Sequence, residues 1–208
     1  IGPRIRKVAE VLDYMGHTAI SDKLMDSRWG KLINNACMSG MSAACGCTFG
    51  EVLANDKARA CLSYLGYEVK KCCEAAGHTL PEVMLHDQSP ASLILGSQKV
   101  FDESQDMFLK MYAGMETAKA SMLQDLEKGR ITEVKMINGY VCQTGDEHGI
   151  DTPFNDKVVE IVTGIEQGKL PLDMSNLALF DSCEFPYELY KKSGNKRAFP
   201  GKPPLTRV

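Results

Sequence analysis

Apolar side chains along this chain recur mostly at three- and four-residue steps, the spacing of one face of an α-helix. Ile5, Val8, Leu12 and Met15 predict a first helix over residues 4–15, stopped by Gly16. Ser21-Asp22 then read as the N-cap of a second helix that carries Leu24, Met25 and Trp29 into a polar stretch at Lys31. From Ala36 to Gly50 nearly every residue is small, which lets another backbone approach closely and suits a central helix. A further helix begins at Asn55 or Asp56, places Ala60, Leu62, Leu65, Val69 and Cys72 or Cys73 inward, and ends near Gly77. Pro81 and Pro90 break up the next segment, leaving room for a short helix between them. From Asp102 or Ser104 the pattern predicts one helix through Phe108, Met111 and Met115 to about Leu126, interrupted at Gly129. Thr132 to His148 is helical with Val134, Ile137, Val141 and Cys142 inward, and Thr152-Pro153 opens a last helix, Pro being favoured at the first helical position. The pattern weakens after Gly168, where Leu177-Ala178-Leu179-Phe180 leaves a short buried strand open as an alternative. With no strand pattern before residue 170, the fold class is all-α, a helical bundle.

Composition narrows the function classes. The 208 residues are 44% hydrophobic and 25% charged, as in an ordinary globular chain, and no apolar window is long enough for a membrane helix. The net charge of −3 hides a polarity: residues 191–208 carry six basic side chains and no acid, so residues 1–190 hold 18 basic against 27 acidic residues. An acidic body argues against a nucleic-acid partner. The eight cysteines lack the paired spacing of zinc sites, so no metal is expected; they read as small buried hydrophobes of a reducing cytoplasm. No Gly-x-Gly-x-x-Gly loop follows a strand, so the usual cradle for a dinucleotide is missing. The opening Ile1-Gly2-Pro3 reads as a cut from a longer chain.

Two polar clusters interrupt the apolar pattern. In Trp29-Gly30-Lys31-Leu32-Ile33-Asn34-Asn35-Ala36, Lys31 and Asn35 lie four apart on one helix face. A lysine and an amide side by side offer several donors to one small anionic or carbonyl-bearing ligand, although an exposed lysine and amide are also an ordinary solvated face. Downstream, Ser121 and Asp125 share a face, and Glu133 follows the break at Gly129. Thr132 and Glu133 are equally what a capped helix start requires.

Together these pieces resemble the C-terminal domain of ketopantoate reductase (2-dehydropantoate 2-reductase), within the 6-phosphogluconate dehydrogenase-like dehydrogenases. The matching elements are Trp29-x-Lys31-Leu32 with Asn35, Gly50-Glu51-Val52-Leu53, Glu74-Ala75-Ala76-Gly77, Ser121-Met122-Leu123-Gln124-Asp125, Gly129-Arg130-x-Thr132-Glu133, Ile137-Asn138-Gly139 and Gly149-Ile150-x-Thr152-Pro153-x-Asn155. They run in order over residues 1–168, leaving 169–208 as an extension and tail.

The resemblance implies a substrate-binding and catalytic helical domain that works with an N-terminal Rossmann domain binding NADPH, a domain this chain does not contain. It implies hydride transfer to the C2 carbonyl of ketopantoate, giving pantoate for pantothenate and coenzyme A biosynthesis in the cytoplasm. By the same resemblance Lys31 is the proton donor and Glu133 the glutamate that holds the substrate hydroxyl and the lysine. Asn35 lies near the carbonyl oxygen and Ser121 contacts the carboxylate. Ser39 stands where the family often has a second asparagine and joins the substrate-binding set, while Ala118 replaces another asparagine. Fewer amides leave a different 2-oxo acid open as the substrate. Partners implied are the small 2-oxo acid and a second copy in a homodimer. A non-catalytic helical dimerisation domain of the same fold is the alternative class. Without the phosphate-binding loop, the isolated chain is expected to be inactive.

Overall fold

The computed structural model describes residues 1–81 and 97–183, and among them there are helices and no strand. In chain order these are α1 (Pro3–Leu12), α2 (Leu24–Asn34), a π-helical turn (Asn35–Ser39), α3 (Gly40–Ala44), α4 (Phe49–Ala54), α5 (Asp56–Ala75), α6 (Gln98–Met111), α7 (Ser121–Glu127), α8 (Val134–His148), α9 (Pro153–Glu166) and a 3₁₀ helix (Met174–Ser182). The all-α expectation therefore holds. The stretch between Pro81 and Pro90 lies largely outside the described residues, as does the basic tail.

Local chemistry explains most of the starts and stops. Thr48 accepts the Glu51 N–H while Glu51 reaches back to the Thr48 N–H, a reciprocal capping box that opens α4. Asn55 takes the N–H groups of Lys57 and Ala58 and opens α5. Pro153 fills the first position of α9, and Gly149, at φ +67°, closes α8 in the left-handed conformation that glycine adopts without strain.

Helix α5 is the axis of the bundle. The π turn, α2, α4, α6, α8, α9 and the 3₁₀ helix all pack on it, and residues Ala58 to Gly66 of it are buried without a break. Its polar members are satisfied: buried Arg59 donates to the Leu53 carbonyl, to Gln105 Oε1 at 3.1 Å and to Asp56 at 2.6 Å, and Ser63 is hydrogen-bonded to Ser104 and Gln105. Seven of the eight cysteines are buried and Cys142 is half-buried; all are free thiols, as the small-hydrophobe reading expects. Burial pushes Cys72 up to about 11 and Cys73 to about 12, so both stay protonated.

Four expectations change. The single helix predicted over about 102–126 is two, α6 and α7, separated by a turn that includes Gly114 at φ +82°. The reason is tertiary: the first N–H groups of α4, Phe49 and Gly50, donate to the carbonyls of Ala118 and Glu116 at 3.0 and 2.8 Å, pulling that segment out of helix. A Cβ on Gly50 would sit 2.8 Å from the Glu116 carbonyl oxygen, so the glycine is required for that approach. Ser21-Asp22 do not cap α2; its N-cap is Lys23 and makes no side-chain bond. Thr132 stands one position before the N-cap of α8, which is Glu133. The Leu177–Phe180 run is 3₁₀ rather than strand, because Asp173 caps it and Asn176 reaches the Ala44 carbonyl at 3.0 Å.

Helix α1 stands apart. None of its residues is buried, and Ile5 and Val8 are each 51% exposed.

Candidate active site

The site is built around the π turn. Helix α2 runs without a break into Asn35–Ser39, where the Gly40 N–H reaches back five residues to the Asn35 carbonyl, and then into α3. Such widened turns are rare in α-helices and concentrate at functional sites. Small neighbours make it possible here: a Cβ on Gly40 would lie 3.2 Å from both amide atoms of Asn138 and from Val158 Cγ1.

Along this stretch Trp29, Ile33, Ala36, Cys37, Met38 and Gly40 are buried, whereas Lys31 is exposed and Asn35 and Ser39 are half-buried. The three polar residues therefore form a stripe that the core does not cover. Helices α7 and α8 both pack against the π turn; Ser121 stands at the start of α7 and Glu133 at the N-cap of α8, and both are exposed. Among the described residues, none of the five side chains of Lys31, Asn35, Ser39, Ser121 and Glu133 forms a hydrogen bond or ion pair.

Their neighbours contrast with this. Asn34 accepts from the Tyr112 hydroxyl at 2.5 Å, Thr132 is bound through its N–H and hydroxyl to Glu166 at 2.8 and 2.7 Å, and Lys119 pairs with Glu127 at 2.6 Å. Asp125, which shares a face with Ser121, lies 3.9 Å from the Arg130 guanidinium. The arrangement leaves one cation, one anion and three hydrogen-bonding groups uncommitted on adjoining elements. That set can hold a carboxylate and a carbonyl oxygen and can donate a proton.

A groove of about 340 Å³ lies between α2 and α8, lined by Met25, Arg28, Trp29, Leu32, Met136 and Tyr140. Leu32 adjoins Lys31 in the chain, and Glu133 stands one turn before Met136. Trp29 and Tyr140 pack with ring centroids 5.6 Å apart, which places Trp29 in the core beside the polar stripe.

Beneath the stripe runs a buried polar chain that sequence reading missed. Asn138, fully buried, donates from Nδ2 to the Ala36 carbonyl inside the π turn at 3.0 Å and to Asn155 Oδ1 at 2.9 Å. Asn155 donates its N–H and its Nδ2 to Glu68 Oε2 at 2.9 and 2.7 Å, and the Phe154 N–H donates to Glu68 Oε1 at 2.9 Å. Glu68, 5% exposed, is pushed up to about 7, because burial outweighs the three donated hydrogen bonds. The signal for this chain was present: Glu68 falls between Leu65, Val69 and Cys72, and Asn138 between Ile137 and Val141, both on otherwise apolar faces.

No helix among the described residues is long and apolar enough to cross a membrane, and no three His, Cys, Asp or Glu side chains among them are grouped as a metal site would need.

Residues 23–166 match the family model described as ketopantoate reductase PanE/ApbA C terminal, which is well over half of the chain. The chain belongs to the ketopantoate reductase family. Lys31, Asn35, Ser39, Ser121 and Glu133, and the buried Glu68, Asn138 and Asn155, fall inside the matched span of this family domain, whereas α1 precedes it. A curated relative, the 2-dehydropantoate 2-reductase of Archaeoglobus fulgidus, is 31% identical over 162 residues, covering 77% of this chain and 48% of its own length. That of Vibrio cholerae is 21% identical over 171 residues, covering 80% and 50%. The chain thus spans about half the length of the curated relatives it matches. Among solved structures, a PanE/ApbA family ketopantoate reductase from Ralstonia eutropha superposes with a TM-score of 0.63 at 22% identity, over 79% of this chain and 49% of that one. D-mandelate dehydrogenase, solved with NADH and anilino(oxo)acetate, gives 0.62 at 23% identity, over 80% and 62%. A dimeric ketopantoate reductase from Staphylococcus aureus gives 0.61 at 16% identity, over 82% and 53%. These likenesses establish that the bundle is the helical fold of this family's C-terminal domain.

Proposed function

We propose that this family domain is the substrate-binding and catalytic half of an NADPH-dependent 2-dehydropantoate 2-reductase, reducing ketopantoate to pantoate. The observation that carries the reading is the set of five polar side chains without intramolecular partners among the described residues, on four adjoining elements and in the family's register. Reduction of a ketone builds negative charge on its oxygen. Lys31 stabilises that charge and delivers the proton, with Asn35 donating to the same oxygen. Ser121 holds the substrate carboxylate, Ser39 lines the same substrate site, and Glu133 holds the substrate hydroxyl and the lysine.

The described residues do not form a dinucleotide cradle. They contain no strand–glycine loop–helix unit, and the N-termini of α4, α5 and α9 are already satisfied by Glu51, Asn55 and Glu68. The hydride donor is therefore assigned to contacts outside these residues, and none of the roles above depends on them. NADPH rather than NADH, a cytoplasmic location, a homodimer and the division into a catalytic domain over 1–168 and an extension over 169–208 all belong to this proposal.

The test is Lys31→Ala in the full-length protein, assayed by NADPH oxidation with ketopantoate. A general acid is worth about 10²–10⁴-fold in rate, and loss of that size with an unchanged melting temperature is expected, since an exposed lysine adds little stability. Wild-type turnover would sink the catalytic reading and favour a non-catalytic dimerisation domain. A second reading, reduction of another 2-oxo acid, is favoured by Ser39 and Ala118 in place of amides and by the apolar groove beside the stripe. A panel of 2-oxo acids, ranked by kcat/KM, separates the two.

A further inference from the structure

The buried chain from Glu68 to the π turn has no part in the roles assigned above, yet it ends on the backbone that carries Asn35 and Ser39. Its chemistry is directional. Glu68 presents oxygens to the first N–H groups of α9, so it accepts, and Asn155 must turn its Nδ2 toward it. That turn leaves Asn155 Oδ1 facing Asn138, which must therefore present Nδ2, the group that also reaches the Ala36 carbonyl. One carboxylate thus fixes the orientation of two amides in series. The last amide grips a carbonyl between Asn35 and Ser39, inside the turn that departs from α geometry.

Asn138 and Asn155 are fully buried and Glu68 nearly so, and the one idle atom, Asn138 Oδ1, is buried without a partner against Gly40. Three polar side chains in a helical core are more demanding than apolar ones, because any missing partner leaves a desolvated group. An apolar trio would pack the same helices together; it would not hold a carbonyl within a π turn.

We propose that Glu68, Asn155 and Asn138 are positioning residues, a relay that grips the Ala36 carbonyl, holds the π turn open and thereby sets Asn35 in the geometry the reaction uses. This rests on the reading of the stripe as a 2-oxo acid site. The relay acts through Asn35, so its removal matters only while Asn35 is present.

A double-mutant cycle in the full-length reductase tests this, with Asn138→Ala, Asn35→Ala and the pair, each checked for folding by circular dichroism. Displacement of a positioning group by about 1 Å costs on the order of 10²-fold, so Asn138→Ala is expected to lower kcat/KM by about that factor in the Asn35 background and by less than about threefold once Asn35 is alanine. Equal losses in both backgrounds would overturn the relay and leave Asn138 a packing residue. Glu68→Gln serves where Asn138→Ala fails to fold: it keeps the shape, replaces one acceptor oxygen by a donor, and should show the same non-additivity with Asn35→Ala. Amide hydrogen exchange at Gly40 supplies a readout that needs no activity. Exchange at Gly40 accelerated at least about tenfold beyond what the change in global stability accounts for is expected in Asn138→Ala, because the Gly40 N–H closes the π turn. Unchanged exchange would overturn the proposal even in a protein that reduces no 2-oxo acid. A wild type inactive on every 2-oxo acid, with Gly40 exchange accelerated, would instead sink the functional reading and leave the relay standing.

Discussion

The buried Glu68 makes the stability of this protein fall as pH rises, against the usual trend for carboxylates. Its ordinary value of 4.5 is pushed up to about 7 in the fold, chiefly by burial, with the Asp156 carboxylate adding to the shift. Below about pH 4.5 both folded and unfolded states hold the proton, and the group is neutral in the comparison. Between about 4.5 and 7 the folded state keeps the proton that the unfolded state has released, so stability declines by about 1.4 kcal/mol per pH unit. Above about 7 both are ionised and the loss is complete, at about 3 kcal/mol. That is a sizeable share of a typical stability of about 5–15 kcal/mol. The thiols that face Glu68 do not titrate in this window: those of Cys37 and Cys142 are pushed well up by burial, and those of Cys72 and Cys183 to about 11. The assay is urea unfolding at steps from pH 4 to 8 for wild type and Glu68→Gln, followed by fluorescence of Trp29, the single tryptophan, which is 1% exposed. Carboxylates elsewhere, such as Asp173, which Ser175 holds below the usual range, contribute equally to both proteins and cancel in the difference. The wild type should lose about 3 kcal/mol relative to Glu68→Gln across the range. A flat difference, or one that grows in favour of the wild type toward pH 8, would refute the burial argument.

Gly50→Ala should destabilise the protein by about 1–3 kcal/mol, because its Cβ would meet the Glu116 carbonyl oxygen at 2.8 Å and break the contact that separates α6 from α7; a melting temperature equal to wild type would contradict that account. For the 208-residue chain alone, calorimetry with NADPH should register no low-micromolar binding, since the described residues contain no strand leading through a glycine-rich loop into a helix. Heat consistent with tight binding would place a dinucleotide site within this chain.

The helices were legible wherever a single local signal decided the boundary. Pro153 at a first helical position and Asn55 before Asp56 each act through their own backbone, so sequence suffices. The split between α6 and α7 was not legible, because the groups that make it, Phe49 and Gly50, lie more than sixty residues upstream and act through the fold. The stripe was readable as a set of residue types in a family register. Its lack of internal partners was not, since only the fold shows that Thr132 and Asn34 are committed while Glu133 and Asn35 are free. Glu68 was passed over for a related reason: a carboxylate at a helical spacing reads as a surface residue until α9 is laid over it.

The two unusual features of the core converge on one place. A π turn is less favourable than α-helix and persists only where surrounding contacts impose it. A carboxylate held at about 7 is likewise a departure from what packing alone would choose. Here the second supports the first: the Glu68 oxygens take the N-terminal N–H groups of α9, α9 carries Asn155, and Asn155 sets the amide that enters the turn. Small residues on the other side, Gly40, Ala43 and Ala44, let α7, α8 and α9 close on α3 and the turn without displacing them. Local rules broken together in a fold that is otherwise locally consistent are where function is to be sought, and they support the proposed site. In this protein they lie directly beneath Asn35 and Ser39, where the uncommitted stripe faces outward.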